Sequence, residues 1–402
     1  MPADAPAHLL STHQAFAHAF GVSPTHFSSA PGRVNLIGEH TDYSGGMVLP
    51  MALSLRCFAV GALASAANSE VLAVDLHQRT AFDLTRVAPD YFPPGNWARY
   101  VAGTLACLAR AASLTNPLPI RIALSSAVPP GAGLSSSAAL EVSVATLAAA
   151  MWGLHFDPIA IARACQEAEH TFAGVPCGIM DQLISVRAER GHALLIDCRS
   201  LDTTPIPLPA ATDAVFVVAD SRVKHALGSG EYAKRRASCE SAAAVLGVSS
   251  LRDATIDLLR TRHADLTDDQ LVCALHVIGE NQRVRRFADA LRRGDLPAAG
   301  RAMTESHRSL RDDFRVSCSE LDTLVSTALA TPGVHGSRLT GAGFGGCTVT
   351  LCHPDSAPSL TCNLTAALTR LNLPAPNVFI ARSDQGAAVS RLSSMGEVPR
   401  VL

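Results

Sequence analysis

At residues 31–43 the chain carries the segment PGRVNLIGEHTDY, in which glycines bracket a cluster of polar side chains inside an otherwise apolar region. Glu39, His40 and Asp42 offer hydrogen-bond acceptors and a donor at neighbouring positions. A sugar presents several hydroxyl groups, each a donor and an acceptor, so a short polar loop of this composition suits a sugar or another polar ligand. Two other interpretations stay open from composition: a surface turn, and a His/Asp metal site, although a third ligand at helical spacing is lacking.

A second segment links a predicted strand to a predicted helix, and residues 128–139 read VPPGAGLSSSAA. Glycines let the backbone approach a ligand closely, and the N-terminus of the following helix presents free N–H groups to phosphates. A capped helix after a glycine-rich turn is the structural alternative. The sequence contains no Gly-Lys-Ser/Thr, which excludes a Walker A loop, and it lacks the Val-Ala-Ile-Lys and His-Arg-Asp motifs of protein kinases.

A third segment, GSRLTGAGFGGC at residues 336–347, places four glycines within six positions. Such density requires a close backbone approach or positive φ angles. A tight turn between a helix and a strand would satisfy this requirement. A glycine-rich loop between predicted elements is, however, more typical of a ligand site.

The whole-chain composition limits the classes of function. A length of 402 residues predicts two domains, and a net charge of −2 without blocks of like charge argues against nucleic acid or an anionic membrane as a partner. The eleven cysteines form no Cys-x-x-Cys pair, which argues against a zinc site or a disulfide framework and favours a reducing compartment. The first 21 residues do not resemble a signal peptide, so a cytoplasmic location is expected.

Strands and helices mix without strict alternation, which predicts an α+β fold. A proline-rich stretch at residues 204–209 predicts a boundary that divides the chain into domains 1–205 and 206–402. We expect an irregular loop at residues 30–50. Helices are expected at residues 9–20, 96–112, 158–170 and 177–188, in a run that ends at 151, and over most of the chain from 231 onward. Strands are expected at residues 56–64, 70–76, 119–126, 193–198, 215–219 and 377–381, and after the glycine-rich turn within 337–350.

Together and in this order, the three segments resemble the sugar-kinase family named after galactokinase, homoserine kinase, mevalonate kinase and phosphomevalonate kinase. The first segment resembles the galactokinase signature, and the other two are typical of the wider family. The resemblance runs from about residue 31 to residue 349. It implies an N-terminal α/β domain and a ferredoxin-like C-terminal domain with the active site between them. It also implies transfer of the γ-phosphate of ATP to the C1 hydroxyl of α-D-galactose. We expect the protein to be a monomer.

The resemblance also assigns roles to individual positions. Arg33 and Asp181 would flank the reacting hydroxyl. The residues expected to hold the sugar are Glu39, His40, Thr41, Asp42, Gly178 and Tyr232. Mg²⁺ would be held by Ser137 and Glu169. ATP would contact Gly131, Ala132, Gly133, Leu134, Ser135, Ser136 and Ser137, with Gly345 and Gly346 close by and with Trp97 and Tyr100 at the adenine. Ala342 stands where many relatives have a glycine, which adds one methyl group to the third segment.

Elementary chemistry agrees with this assignment, because phosphoryl transfer needs positioning and charge neutralisation more than covalent catalysis. The only lysines are Lys224 and Lys234. Without a phosphate-loop lysine, backbone N–H groups, Mg²⁺ and Arg33 must balance the phosphate charge. Asp181 can accept the proton of the hydroxyl or only orient it, and the sequence leaves both open. Lys224 matches a basic position near this pair in the family, and a solvated loop lysine is the alternative.

Two other functions remain open at this stage. The first is a kinase for a related sugar, such as N-acetylgalactosamine or L-arabinose, although Thr41 and the Gly45-Gly46 pair resemble the galactose-type motif. The second is a non-catalytic galactose sensor. Such sensors lack part of the serine–alanine loop, which is complete here at residues 135–139.

Overall fold

Two β-sheets form the framework of residues 5–224 and 228–392, the part of the chain that the computed structural model describes. The first sheet contains β1 (His26–Ile37), β2 (Met47–Leu63), β3 (Ser69–Ala73), β4 (Gln78–Phe82), β5 (Ile120–Ser126), β6 (His192–Asp197), β7 (Thr203–Pro207) and β12 (Ala388–Arg391). The second sheet contains β8 (Val215–Lys224), β9 (Val334–Thr340), β10 (Gly345–Cys352) and β11 (Asn377–Ala381).

Helices pack around both sheets. They are α1 (Ala5–Phe20), α2 (Ala98–Ala111), α3 (Ser136–Met151), α4 (Pro158–Ala168), α5 (Met180–Arg187), α6 (Gly228–Leu246), α7 (Ile256–Arg262), α8 (Asp268–Arg292), α9 (Leu296–Arg308), α10 (Ser319–Leu329) and α11 (Ala357–Arg370). The mixture of helices with largely antiparallel sheets confirms the predicted α+β class.

The strand order of the first sheet is β12-β1-β2-β5-β3-β4, with β6 joined to β2 and β7 joined to β6. Only the β3–β5 pair among these described strands is parallel. The second sheet is antiparallel in the order β11-β8-β10-β9. Because β12 comes from the far end of the chain and pairs with β1, the first sheet is completed only after the second has been traversed.

The predicted irregular loop at residues 30–50 is wrong, since most of this stretch lies in β1 and β2. Pro31 and Gly32 read as loop residues, yet they sit inside β1 at a shift of register against β2. A bulge of this kind tolerates a residue without an N–H group. Gly32 is needed because a Cβ there would lie 2.6 Å from the carbonyl oxygen of Leu134.

Most of the elements expected from periodicity are confirmed. The apolar face predicted for α1 is buried through Leu9, Phe16 and Phe20. The last predicted strand, at residues 377–381, coincides with β11. The helix predicted at 158–170 ends instead at residue 168 and continues as one π-helical turn over Glu169–Ala173. The boundary predicted between residues 205 and 206 falls inside β7 and stays a prediction.

One apolar cluster joins the two sheets. Val34 and Leu36 of β1 belong to the same buried cluster as Phe216 and Val218 of β8 and Val349 of β10. The two halves of the chain therefore share a core, which fixes the position of one relative to the other. None of the helices in residues 5–224 and 228–392 is long and apolar enough to cross a membrane.

Helix α9 packs closely on β9, and this contact supplies a test of the fold. A Cβ at Gly300 would lie 2.0 Å from the carbonyl oxygen of His335. Gly300→Ala should therefore lower the free energy of unfolding by about 1–3 kcal/mol, as overpacked cores do, measured by urea denaturation. Gly230→Ala in α6 is the control, because no atom lies within 4 Å of its Cβ position. A Gly300→Ala protein as stable as the unsubstituted chain would contradict this packing.

Candidate active site

A cavity of about 370 Å³ brings the first and third segments together with the stretch before α5. The first segment contributes Arg33, Glu39, His40 and Asp42, the stretch around α5 contributes Glu169, Cys177, Gly178 and Asp181, and the C-terminal half contributes Tyr232, Gly341 and Ala342. Most of the residues expected at the sugar and the reacting hydroxyl therefore line one space, although more than 140 positions separate Arg33 from Asp181 in the sequence.

A bidentate ion pair joins the two residues expected at the reacting hydroxyl. Arg33 donates from Nε to Oδ1 of Asp181 at 2.8 Å and from Nη2 to Oδ2 at 2.9 Å. Arg33 projects from β1, and Asp181 lies in the first turn of α5. The planar guanidinium matches the carboxylate edge, so the pair fixes the orientation of both groups.

Residues 133–135 of the second segment, which is the expected phosphate loop, bond directly to this ion pair. The Arg33 Nη1 group donates to the Gly133 carbonyl at 2.5 Å, and the Arg33 backbone N–H donates to the Leu134 carbonyl at 3.1 Å. Ser135, with a φ of 57°, donates its hydroxyl to Oδ2 of Asp181. The sequence placed Ser135 only at ATP, and this contact to Asp181 was missed.

Glu39 is the most heavily bonded carboxylate of the cavity. Its oxygens accept from Arg338 Nη1 at 2.7 Å, from Asn35 Nδ2 at 2.5 Å, from the Gly341 backbone N–H at 2.7 Å and from the Thr340 hydroxyl at 3.3 Å. Burial raises the pKa of Glu39, and Arg338 is the largest of the influences that oppose this shift. The carboxylate thus ties the first segment to β9 and the third segment.

His40 is held as a neutral ring. Its Nε2 lies 3.0 Å from the Ala342 carbonyl, which can only accept, so Nε2 carries the proton and Nδ1 accepts from the Tyr43 hydroxyl at 2.9 Å. Burial, with a further contribution from His276, lowers the pKa of His40 to about 3. The ring packs against Phe314, with 4.6 Å between centroids.

Asp42 and Gly178 are complementary in shape. A Cβ at Gly178 would lie 1.8 Å from Oδ2 of Asp42, so only glycine leaves room for this carboxylate. Burial raises the pKa of Asp42 to about 6, and the nearby Asp181 adds to the shift. The Tyr43 backbone N–H donates to Oδ1 at 3.0 Å. The other carboxylate oxygen, Oδ2, faces Gly178 in the wall of the cavity.

Thr41 and Tyr232 occupy different surroundings. The Thr41 hydroxyl is within hydrogen-bond distance of two backbone carbonyls, those of Gly38 at 3.0 Å and Met47 at 2.9 Å, and its side chain is buried in the turn. Thr41 therefore shapes the first segment but does not line the cavity. Tyr232 of α6 lines the cavity, and its ring lies 5.4 Å from that of His40.

A second cavity, of about 400 Å³, lies on the other side of the phosphate loop. Trp97 and Tyr100, expected at the adenine, line it together with Gly131, Ser136 and Ser137. Aromatic rings together with a helix N-terminus and hydroxyl groups suit a nucleotide.

The third segment packs against the backbone of residues 132 and 133 in the phosphate loop. Cys347 donates its thiol to the Ala132 carbonyl at 3.0 Å, and a Cβ at Gly346 would lie 3.2 Å from that same oxygen. A Cβ at Gly341 would lie 3.2 Å from Gly133. Gly341 and Gly346 therefore allow close contact between the two loops, whereas Gly343 packs against the Val316 backbone. Ala342 contributes its carbonyl to His40.

Gly345 begins β10 and pairs with Lys224 at the end of β8. The side chain of Lys224 lies outside the described part of the structure. Its predicted influence on Asp181 therefore stays a prediction.

Glu169 and Ser137 supply the oxygen donors expected for Mg²⁺. Glu169 is buried at the start of the π-helical turn. Burial, reinforced by Asp181, raises the pKa of Glu169, whereas the nearby Ser137 hydroxyl favours the ionised form of its carboxylate and so opposes this shift. Residues 5–224 and 228–392 contain no group of three or more His, Cys, Asp or Glu side chains that could hold a metal by themselves. A hydroxyl and a carboxylate fit Mg²⁺ nevertheless, because this ion takes few protein ligands and completes its shell with water and phosphate.

Sequence reasoning missed three side chains that support the site. Arg338 stands within the third segment but was given no role, while Glu141 and Gln182 lie close to assigned residues in the sequence. All three are fully buried. A buried charged or amide group is a signal of function, but burial could not be read from the sequence at these positions.

Known protein families match three parts of the chain. The Galactokinase galactose-binding signature matches residues 14–63, the GHMP kinases N terminal domain matches residues 99–189 and the GHMP kinases C terminal domain matches residues 287–369. The first match contains the polar segment, the second contains the phosphate loop and Asp181, and the third contains the glycine-rich turn.

Individual relatives agree over most of the length. The galactokinase of Homo sapiens is 48% identical over 357 residues, which cover 87% of this chain and 89% of the human protein. The galactokinase of Bos taurus is 49% identical over 359 residues, with the same coverage. The crystal structure of Lactococcus lactis galactokinase complexed with galactose matches with a TM-score of 0.89 at 27% identity, covering 94% of this chain and 99% of that one. The chain belongs to the galactokinase family.

Proposed function

We propose that this chain transfers the γ-phosphate of ATP to the C1 hydroxyl of α-D-galactose, giving galactose 1-phosphate and ADP. The observation that carries the proposal is the single cavity in which Glu39, His40 and Asp42 face the Arg33–Asp181 ion pair. Polar groups suited to sugar hydroxyls thus lie beside a carboxylate suited to a reacting hydroxyl. A cytoplasmic location and a monomeric state, expected from the sequence, stay predictions.

The sugar would bind to the first segment. Asp42 would accept hydrogen bonds from ring hydroxyls, and His40 would border the site in its neutral form. Glu39 would line the sugar site while its oxygens accept from Arg338, Asn35, Gly341 and Thr340. Gly178 leaves the space that Asp42 occupies. Tyr232 would close the cavity from α6. Thr41 would act through the shape of the loop, since its hydroxyl faces backbone carbonyls.

ATP would lie in the second cavity, with the adenine near Trp97 and Tyr100 and the phosphates at the N-terminus of α3. The helix dipole and its free N–H groups favour negative charge at that end. Gly131, Ser136 and Ser137 line this cavity, whereas Gly133 and Ser135 contact the reacting pair. The loop therefore separates the nucleotide from the sugar at the place where a phosphoryl group would pass.

Mg²⁺ would be held by Ser137 and Glu169. When bound, the ion would offset negative charge on the phosphate oxygens. Asp181 would accept the proton of the C1 hydroxyl or orient that hydroxyl, held in place by Arg33 and Ser135. Arg33 would at the same time bring positive charge to the transferred group.

The proposed activity can be tested directly with a panel of sugars. ADP release, measured by a coupled assay, should be fastest with galactose, with a kcat/KM at least about tenfold above those for N-acetylgalactosamine and L-arabinose, because unpaired buried polar groups penalise the wrong substrate. Phosphorus NMR of the product should show a sugar 1-phosphate. Binding of galactose without ADP release would contradict catalysis and support a sensor, and a preference for another sugar would contradict the substrate.

The reacting pair supplies a second test. Asp181→Asn keeps the shape but removes the proton acceptor, so kcat should fall by about 10²–10⁴ while galactose still binds. Arg33→Lys keeps a charge but loses the planar fork, and the double variant should be scarcely worse than the more damaged single variant. Stopped assays and calorimetry on variants checked by circular dichroism provide the measurement. A near-normal kcat for Asp181→Asn would end the proposed mechanism.

The third test uses the titration of Asp42. If the ionised carboxylate accepts from galactose, binding requires loss of the proton whose pKa burial raises to about 6. Galactose affinity should then weaken as the pH falls through 6, with a dissociation constant at pH 5 about tenfold that at pH 7.5. His40 does not contribute in this range, because its pKa is lowered to about 3. Calorimetric titration of Asp42→Asn is the control and should show a weak affinity without this pH step. A pH-independent affinity of the unsubstituted chain would remove Asp42 from the sugar.

A further inference from the structure

Glu169 receives support from a side chain that lies outside the proposed ligand set. Its Oε2 accepts from Nε2 of Gln182 at 2.6 Å and from the Cys177 thiol at 3.4 Å. Two donors on one oxygen fix the plane of the carboxylate. Without them, the Glu169 carboxylate would be free to rotate.

The Gln182 amide joins two carboxyl groups. Gln182 lies in the first turn of α5 beside Asp181 and is fully buried. An amide NH₂ group carries two hydrogens, and here one is directed to Glu169 while Oε2 of Glu141 lies 3.3 Å from the same nitrogen. The opposite orientation of the amide would place its oxygen against two carboxyl groups, so the surroundings select the observed one.

The cost of this arrangement points to a role beyond packing. The Gln182 Oε1 and Glu141 Oε1 atoms are both buried without a hydrogen-bond partner in the described structure. An unsatisfied buried polar atom destabilises the folded state, and apolar residues of similar volume would avoid that cost. The orientation that the Gln182 amide gives to the Glu169 carboxylate explains why a buried amide is retained despite this cost.

Glu141 also connects the Gln182 amide to the helix that begins with the serines of the second segment. Glu141 follows Ser137 by four positions on α3, so both project from the same face of the helix. The proposed ligands Ser137 and Glu169 are thereby bridged on the protein side by Glu141 and Gln182. This series of side chains runs from Glu141 on α3, through the Gln182 amide on α5, to Glu169 in the π-helical turn.

We propose that Gln182 is a positioning residue for the metal ligand Glu169, with Glu141 as the anchor that holds the Gln182 amide in place. The inference rests on the proposed function, since it is Mg²⁺ in ATP-dependent transfer that Glu169 would hold. Gln182 touches neither substrate in this scheme and acts through the orientation of the carboxylate.

The experiment measures metal affinity as well as turnover. Mn²⁺, as a paramagnetic substitute for Mg²⁺, is titrated by electron paramagnetic resonance into the protein with a non-hydrolysable ATP analogue. Gln182→Met should weaken Mn²⁺ binding by about 10–100-fold, the usual effect of losing a group that orients a ligand. In steady-state assays, the Mg²⁺ requirement should rise and kcat should recover at high Mg²⁺, while the dissociation constant for galactose stays unchanged.

Gln166→Met is the matched control. Gln166 is a half-buried glutamine on α4 that bonds to the Cys177 carbonyl and not to Glu169. The Gln166→Met substitution should leave the Mn²⁺ affinity equal to that of the unsubstituted chain. If Gln182→Met does not fold, Gln182→Asn retains an amide but is one methylene too short to reach both carboxyl groups, and it should weaken Mn²⁺ binding similarly.

Unchanged Mn²⁺ affinity in a folded Gln182 variant, or an equal loss in Gln166→Met, would overturn the inference. The Mn²⁺ titration needs no turnover. A chain that failed to phosphorylate galactose would therefore end the proposed function, while the titration would still decide the role of Gln182.

Discussion

The buried ion pair between Glu39 and Arg338 holds the site together. It joins the first segment to β9 of the second sheet at 2.7 Å, with both side chains almost fully buried. Removing such charges from water costs several kcal/mol per ion, and attraction offsets this only when further hydrogen bonds are present. Glu39 has them from Asn35 and from the third segment, through Gly341. The sugar loop and the loop that supports the phosphate site are thus positioned by one carboxylate.

The site gathers more carboxyl groups than cations. Burial raises the pKa values of Glu39, Asp42 and Glu169, and it raises that of Glu141 well above its usual range. Each shift records a preference for an added positive charge or a proton. An uncharged sugar avoids charge repulsion in such a site, whereas the phosphates of ATP would meet it. In the proposed scheme, a divalent cation bound with ATP would offset this excess of carboxyl groups.

The sequence predicted the local features of this site but could not predict their assembly. Spacing and glycine content located all three segments, and amphipathic periodicity located most helices. The loop predicted at residues 30–50 was wrong because Pro31 and Gly32 read as turn residues, although a bulge in β1 accommodates both. Arg338 was missed because its partner, Glu39, is distant in the sequence. Gln182 was missed because the packing of α5 against α3 and the π-helical turn, which the sequence does not record, directs its amide to Glu141 and Glu169. Contacts of that kind depend on how the sheets pack, which a single sequence does not record.

The bonding of Arg33 clarifies how the phosphate charge can be balanced without a lysine in the loop. A guanidinium has five N–H donors, and Arg33 directs its Nε and Nη2 groups to Asp181 and its Nη1 group to the Gly133 carbonyl. Three donors are therefore committed to holding the carboxylate and the loop, which leaves about two N–H groups for a phosphoryl oxygen. Arg33 thus sets the distance between the Asp181 carboxylate and residues 133–134. In the proposed transfer, most of the charge on the phosphoryl group would be met by the N–H groups at the start of α3 and by Mg²⁺.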